Sequence, residues 1–254
     1  VVLFGFGRIG RLVARELIKQ AGKGQQLRLK GIVVRNISNE QMIKRCDLFR
    51  NDSVHGAYKA DIDLNLKEKC LTVNGQRIYF IEGKNPSEIN YNEYGINDAL
   101  LIDNSGAFTD KDSLSNHLES TGISKVLLTA PGKGIPNIVY GINSKELDIE
   151  NSKIVSAASC TTNCIAPILH VIESEYGISS GHLETVHSYT NDQNLIDNMH
   201  KKARRGRSAA INMVITTTGA GKAVTKVIPS LEGKLTANAV RVPTPNVSLA
   251  ILKL

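Results

Sequence analysis

The glycines at positions 5, 7 and 10 constrain this chain more than any other feature. Val1-Val2-Leu3-Phe4 is a short apolar run that reads as a buried strand, and Gly5-Phe6-Gly7-Arg8-Ile9-Gly10 follows at once. Ile9, Leu12, Val13 and Leu17 then recur at the spacing of one helix face. Leu29 to Val34 is a second apolar strand. Strand, helix and strand in succession make a βαβ unit, and with it a parallel sheet joined by a right-handed crossover. In that setting G-x-G-x-x-G has a mechanical meaning. The first glycine permits a tight turn, the second lets the backbone approach a pyrophosphate, and the third lets helix pack on strand. The helix N-terminus offers unpaired N–H groups to phosphate. Glycine turns with this spacing also occur without a ligand, but the flanking strand and helix favour dinucleotide binding.

The usual companion of that turn is an acidic residue ending the second strand, where it binds ribose hydroxyls. Here the position reads Arg35-Asn36, and no carboxylate appears until Glu40. An amide can still hydrogen-bond a ribose, and it does not repel a 2′-phosphate as a carboxylate would. Arg35 could attract one, or could be an ordinary solvated charge. Both NAD and NADP are compatible with this pattern.

Downstream, Cys70-Leu71-Thr72-Val73 and Ile78-Tyr79-Phe80-Ile81 flank Asn74-Gly75, which predicts a hairpin on a type I′ turn. Ala99 to Ile102, Val126 to Thr129 and Lys153 to Ala157 read as buried strands, with a helix over 111–120 between the first two. After Cys160 a long apolar helix (Ile165, Ile168, Leu169, Ile172) leads to the strand Leu183 to Val186. The polar stretch from Thr190 to about Ala210 is too long for an ordinary connection and reads as functional. Strands resume over 237–242 and 247–252. A domain boundary is expected near residue 158, giving domains 1–158 and 159–254 in an α/β chain.

A length of 254 residues supports one large domain or two ordinary ones. With 31 Lys+Arg against 24 Asp+Glu the net charge is +7, which suggests anionic partners. The absence of Trp and the 5% aromatic content weaken the case for a base-stacking nucleic-acid platform. Four cysteines are too few for a disulfide scaffold, and none has zinc-site spacing. No apolar run reaches transmembrane length, and no signal peptide is evident, so a cytoplasmic location is expected. The chain does not begin with Met and its last residues, Ser248 to Leu254, read as a strand, so both ends are expected to be cut.

Ser159-Cys160-Thr161-Thr162-Asn163-Cys164 joins a strand end to a helix start. There the first N–H groups and the positive end of the helix dipole favour a thiolate at Cys160 and can hold an oxyanion. Cys164, one turn later, reads as a small packed hydrophobe. Of six histidines (His55, His117, His170, His182, His187 and His200), His187 is the best candidate base. A helix and a return strand can bring it back to the end where Cys160 lies, although an ordinary core or surface histidine fits the spacing equally. His200 to Arg207 holds five Lys and Arg residues. It reads as a solvated loop, a nucleic-acid contact or a phosphate-binding loop, the last in company with Thr216 to Gly219 and Arg241.

The segments Phe4 to Arg11 (FGFGRIGR), Ala157 to Pro167 (AASCTTNCIAP), Thr185 to Gln193 (TVHSYTNDQ), Thr218 to Ile228 (TGAGKAVTKVI) and Gly233 to Ser248 (GKLTANAVRVPTPNVS) closely resemble the glyceraldehyde-3-phosphate dehydrogenase family, in order and over essentially the whole chain. The resemblance implies a Rossmann-type, mostly parallel sheet domain followed by an α+β catalytic domain that is incomplete at its C-terminus. It implies a phosphorylating, NAD(P)-dependent aldehyde dehydrogenase of glycolysis or gluconeogenesis, with Cys160 as nucleophile and His187 as base. NAD is the implied cofactor, with NADP possible. Glyceraldehyde 3-phosphate and inorganic phosphate are the implied substrates, and a homotetramer the implied assembly.

By the same resemblance Gly5, Gly7, Arg8, Ile9 and Gly10 form the pyrophosphate turn, Asn36 faces the ribose, and Lys84 stands near the adenine. Ser105, Gly106 and Thr129 line the nicotinamide side. Ser159, Thr161, Thr218 and Gly219 match the site of attacking phosphate, Thr190 and Arg241 that of the substrate phosphate, and Arg205 a phosphate-binding loop near the cofactor and subunit interface. No metal is implied. Asn36 in place of Asp, Phe4 in place of Asn, and Asp103-Asn104-Ser105-Gly106 in place of Glu-Ser-Thr-Gly depart from the family's usual pattern and are more like its longer bacterial form. The sister activity on erythrose 4-phosphate and a nucleic-acid module built on residues 200–207 are the alternatives.

Overall fold

The computed structural model describes residues 1–254 apart from 25, 147, 149 and 150. Two compact units emerge, Val1–Asn137 with Asp148–Ala157, and Ile138–Leu147 with Ala158–Leu254. The single break expected at residue 158 is therefore preceded by an earlier excursion. Its cause is packing: Val139 is buried in the core of the second unit, beside Ile165, Leu169 and Leu183.

In the first unit the chain runs β1 (Val2–Phe4), α1 (Arg8–Gly22), β2 (Gly31–Val34) and α2 (Asn39–Arg50). A short pair, β3 (Asn51–Asp52) and β4 (Gly56–Ala57), follows, then β5 (Ile62–Asn65), β6 (Cys70–Val73) and β7 (Gln76–Glu82). β8 (Ala99–Asp103), α3 (Lys111–Ser115), β9 (Ile123–Leu128) and β10 (Ile154–Ser156) complete it. One sheet has the order β10-β9-β8-β1-β2-β7-β6-β5. Strands β10 to β7 in that order are mutually parallel, whereas β6 pairs antiparallel with both β7 and β5. Asn74 and Gly75 both adopt positive φ, 49° and 78°, and join Val73 to its partner Gln76 as the sequence predicts.

Two helix readings in this unit need correction. The buried stripe of α1 is Gly10, Ala14 and Ile18, with Val13 and Leu17 packed beside it, and Ile9 is exposed. Gly10 sits inside because helix and strand approach closely there, a demand that apolar periodicity does not register. The helix expected over 111–120 ends at Ser115. Ser115 Oγ donates back to Lys111 O, and the N–H groups of His117 and Leu118 reach only three residues back, so the chain tightens into turns that bury His117.

The second unit begins with α4 (Cys160–Glu175) and β11 (Gly181–Ser188). After the long irregular segment come β12 (Val214–Thr216), α5 (Ala220–Thr225), β13 (Leu235–Val242) and β14 (Leu249–Lys253). Its sheet has the order β12-β13-β11-β14, with β11 and β13 parallel. Ile165, Ala166 and Leu169 of α4 and Val224 of α5 share a core with Leu183 and Leu231, whereas Ile168, expected on the inner face, is exposed. Among the described residues no helix is long and apolar enough to cross a membrane.

Candidate active site

In the first unit the parallel strands deliver every predicted cofactor residue to one edge. Gly5 to Gly10 follow the C-terminal end of β1, Asn36 that of β2, Lys84 that of β7, Ser105 and Gly106 that of β8, and Thr129 that of β9. The sequence order turns back between β1 and β8, and ligands of open α/β sheets bind in the crevice beyond the strand ends at such a point. The glycines are distinguishable there. A Cβ on Gly5 would lie 2.9 Å from Ser105 Cα, and one on Gly10 2.4 Å from Gly5 O. A Cβ on Gly7 would meet nothing within 4 Å. Gly5 and Gly10 are thus glycine for packing, while Gly7 faces open space at the N-cap of α1, where no side chain caps the helix and no acidic residue lies in the first turn. This is a cradle that fits a pyrophosphate.

Supporting groups surround the cradle. Arg8 and Arg11 approach the buried Asp52 at 3.9 and 3.6 Å. Burial works against the charge of Asp52, but N–H donation from His55 and Val54, the His55 ring and Arg8 hold its carboxyl well below the usual range. Thr129 Oγ1 donates to Asp103 O, tying the ends of β8 and β9 together. Asp103, fully buried, accepts from Ser105 N at 2.7 Å and faces the equally buried His117 Nε2 at 2.9 Å. Phe4 lies edge-on to His117 at 4.7 Å, so two of the departures from the family pattern, Phe4 and Asp103, pack on one histidine. Sequence reasoning gave neither Asp52 nor His117 a role. Both are recognisable only once the fold encloses them.

The second unit brings the predicted nucleophile and base together. Ser159 caps α4: its Oγ accepts from Thr162 N at 3.0 Å, and Cys160 opens the helix. Cys160 is exposed, and its Sγ lies 3.7 Å from His187 Nε2 and 4.0 Å from Thr161 Oγ1. The His187 hydrogen bond, against the opposing effect of burial, lowers the thiol to about 7, with further help from the His187 charge and Thr161. His187 shifts upward, chiefly through Cys160. Cys164 is exposed rather than packed, which corrects the expectation for it.

The register of the parallel pair β11 and β13 sets His187 directly beside Arg241. His187 Nδ1 donates to Ser188 O at 2.7 Å, which leaves the Nε2 lone pair facing the thiol. Arg241 Nη1 donates to the same carbonyl at 2.9 Å and to Thr190 Oγ1 at 3.1 Å. It also lies 3.0 Å from Nδ1, as a neighbour rather than a donor, since that nitrogen's proton is already committed. Ser248 Oγ accepts from Ser188 N at 3.1 Å and steadies the strand end.

Thr190 donates to Asp192, Arg205 pairs with Asp192, and Arg205 Nε donates to Thr216 Oγ1 at 3.2 Å. Burial opposes the Asp192 charge, but Thr190, Arg205 and Arg241 hold its carboxyl below the ordinary value. Arg241 Nε is buried and has no hydrogen-bond partner among the described residues.

One connected group therefore unites Cys160, Thr161, His187, Thr190, Arg205, Thr216 and Arg241, with Asp192, Ser188 and Ser248 as members that sequence reasoning did not single out. Asp192 could have been suspected from its place two residues after Thr190. Nothing marks a main-chain carbonyl such as that of Ser188. Among the described residues no hydrogen bond joins Thr218 or Gly219 to this group. They stand just beyond Thr216, where Thr218 Oγ1 accepts from Ala220 N and Gly219 caps α5. Among the described residues no cluster of His, Cys, Asp and Glu suits a metal ion.

Comparison with known proteins agrees with both halves. Residues 1–111 match the glyceraldehyde 3-phosphate dehydrogenase NAD binding domain, and residues 159–254 match the C-terminal domain of the same family. A glyceraldehyde-3-phosphate dehydrogenase-like protein of Pseudomonas aeruginosa is 56% identical over 100% of this chain and 55% of its own length. Glyceraldehyde-3-phosphate dehydrogenase 2 of Bacillus subtilis is 42% identical over 99% of this chain and 71% of its own. The chloroplastic glyceraldehyde-3-phosphate dehydrogenase A of Zea mays is 41% identical over 99% of this chain and 60% of its own. The chain thus spans little more than half of the Pseudomonas relative. On this evidence it belongs to the glyceraldehyde-3-phosphate dehydrogenase family.

Proposed function

We propose that the protein oxidises glyceraldehyde 3-phosphate to 1,3-bisphosphoglycerate, in glycolysis or gluconeogenesis, using NAD(P), inorganic phosphate and a thioester on Cys160. The observation that carries this reading is the 3.7 Å approach of Cys160 Sγ to His187 Nε2. The thiol proton passes to Nε2, and the thiolate attacks the aldehyde carbon to form a C–S bond. His187 protonates the resulting oxyanion, which the first N–H groups of α4 steady beforehand. His187 then takes that proton back as the carbonyl re-forms and the carbon loses hydride. A bound dinucleotide supplies the hydride acceptor. A phosphate oxygen next attacks the thioester carbon, the C–S bond breaks, and the acyl phosphate departs while Cys160 returns as thiolate.

Arg241 and Thr190 hold the substrate phosphate in this reading, supported by the 3.1 Å hydrogen bond that sets the two side chains together. Ser159, Thr161, Thr218 and Gly219 receive the attacking phosphate, and Arg205 braces the loop through Asp192. Arg205 and Arg207 are each taken by a carboxylate, which favours a braced phosphate site over a nucleic-acid surface. The exposed apolar side chains Leu195, Ile196, Met199, Ile211 and Met213 support a homo-oligomer, for which the family suggests a tetramer. The four free cysteines suit a reducing compartment such as the cytoplasm.

Steady-state rates with glyceraldehyde 3-phosphate and erythrose 4-phosphate, with and without phosphate, test the assignment. Phosphate-dependent turnover that is faster with the triose is expected. Faster turnover with the tetrose would move the substrate to the sister activity, and equal rates without phosphate would remove the phosphorylating step.

A further inference from the structure

Asp103 ends β8 with its side chain fully buried, and it is held from two sides. Among the described residues its carboxyl has two hydrogen-bond partners. Oδ1 accepts from Ser105 N at 2.7 Å, and Oδ2 faces His117 Nε2 at 2.9 Å. A carboxylate only accepts, so Nε2 is the donor. Burying a carboxylate is costly unless such donors meet it. The rest of the imidazole packs on Phe4 and Phe108, with ring centroids at 4.7 and 5.4 Å. Its buried Nδ1 has no partner among the described residues. An aromatic ring without nitrogen would fill this space equally well. What the imidazole adds is one N–H, and that N–H goes to Asp103.

The other end of this relay lies on the glycine loop. A Cβ built on Gly5 would stand 3.0 Å from Ser105 N, the atom that Asp103 holds. Asn104 N donates to Phe4 O at 2.8 Å, and Thr129 N and Oγ1 both donate to Asp103 O, at 3.1 and 2.9 Å. The turn after β8 is thus fixed against the turn after β1, at the point where the strand order reverses and the crevice opens. Gly106 follows at once with a φ of 71°. A rotation of the Asp103 carboxylate would free Ser105 N directly beside Gly5.

We propose that His117 and Asp103 are positioning residues for dinucleotide binding. His117 orients the Asp103 carboxylate, and the carboxylate holds the Ser105-Gly106 turn against the glycine loop. Both side chains are fully enclosed, so they act through that turn rather than on a ligand. The inference rests on the dinucleotide reading of the crevice made above.

Calorimetric titration of the full chain with NAD, paired with thermal melts, tests it on three variants. His117→Phe keeps the ring and removes the donor, and should weaken NAD about tenfold and lower the melting midpoint. His117→Gln keeps an N–H for the carboxylate and should bind NAD nearly as the unaltered chain does. The double variant Asp103→Leu with His117→Phe replaces both partners by apolar groups, so its midpoint should recover. Ser105 N has then lost its acceptor, and NAD should still bind about tenfold more weakly than to the unaltered chain. Should His117→Phe fail to fold, the double variant carries the test alone. NAD affinity that recovers together with the midpoint in the double variant would overturn the proposal, as would affinity unmoved by His117→Phe or equally weak in His117→Gln, and the dinucleotide site would stand. No binding of NAD or NADP by the unaltered chain would overturn both.

Discussion

At the scale of single residues, the chemistry of Cys160 depends on where its proton can go. In the proposed mechanism His187 Nε2 receives it, because Nδ1 is held by Ser188 O, and the His187 hydrogen bond lowers the thiol to about 7. Cys160 should then carry far more thiolate near neutral pH than an ordinary cysteine with a pKa of about 8.5. The rate of Cys160 alkylation should rise with pH and level off above an inflection near 7. His187→Asn removes the first cause of the shift and should move that inflection up toward about 8.5. An inflection that stays in place would mean that His187 does not set the thiolate.

Much of this site is legible in the residues themselves, because Cys160 at a helix start and His187 at a strand end are chemical types in telling places. The rest depends on three-dimensional register. Arg241 stands beside His187 only because β11 and β13 are parallel and aligned residue for residue. The Ser188 carbonyl is main chain, common to every residue, and Asp192 joins only through the path of an irregular loop.

At the scale of elements, the turn between β1 and α1 separates two jobs that glycine can do. Gly10→Ala puts a Cβ 2.4 Å from Gly5 O, backbone that cannot swing aside, so overpacking should cost about 3 kcal/mol and lower the denaturation midpoint. Gly7→Ala meets open space at an ordinary negative φ of −73° and should keep the midpoint while weakening dinucleotide binding. Thermal melts paired with titrations read both effects. Equal destabilisation by the two substitutions would contradict this division. The elements legible beforehand are those whose signal is local: the Asn74-Gly75 hairpin, the apolar parallel strands, and the strand-glycine-helix passage. The inner face of α1 and the end of α3 were misread because close packing at Gly10 and burial of His117 against Asp103 are tertiary demands that override apolar periodicity.

At the scale of the whole molecule, the +7 charge acquires specific addresses. Arg8 stands in the glycine turn between β1 and α1, Arg35 and Lys84 just beyond the ends of β2 and β7, and Arg205 and Arg241 in the group around His187. Apolar exposure has its own address in the second unit, where Met199, Ile211 and Met213 are each at least three-quarters exposed. Sedimentation analysis should show an oligomer, and Ile211→Glu with Met213→Glu should shift it to smaller species. A monomer before substitution would contradict the association reading.

The central claim is that one thiol carries the substrate through oxidation and hands it to phosphate. Its most direct test is rapid mixing of protein, dinucleotide and glyceraldehyde 3-phosphate without phosphate, followed by absorbance of the reduced dinucleotide. The account predicts a burst of one reduced dinucleotide per Cys160 and then a stall, relieved when phosphate is added and absent in Cys160→Ala. Steady turnover without phosphate, or a burst that survives Cys160→Ala, would contradict it.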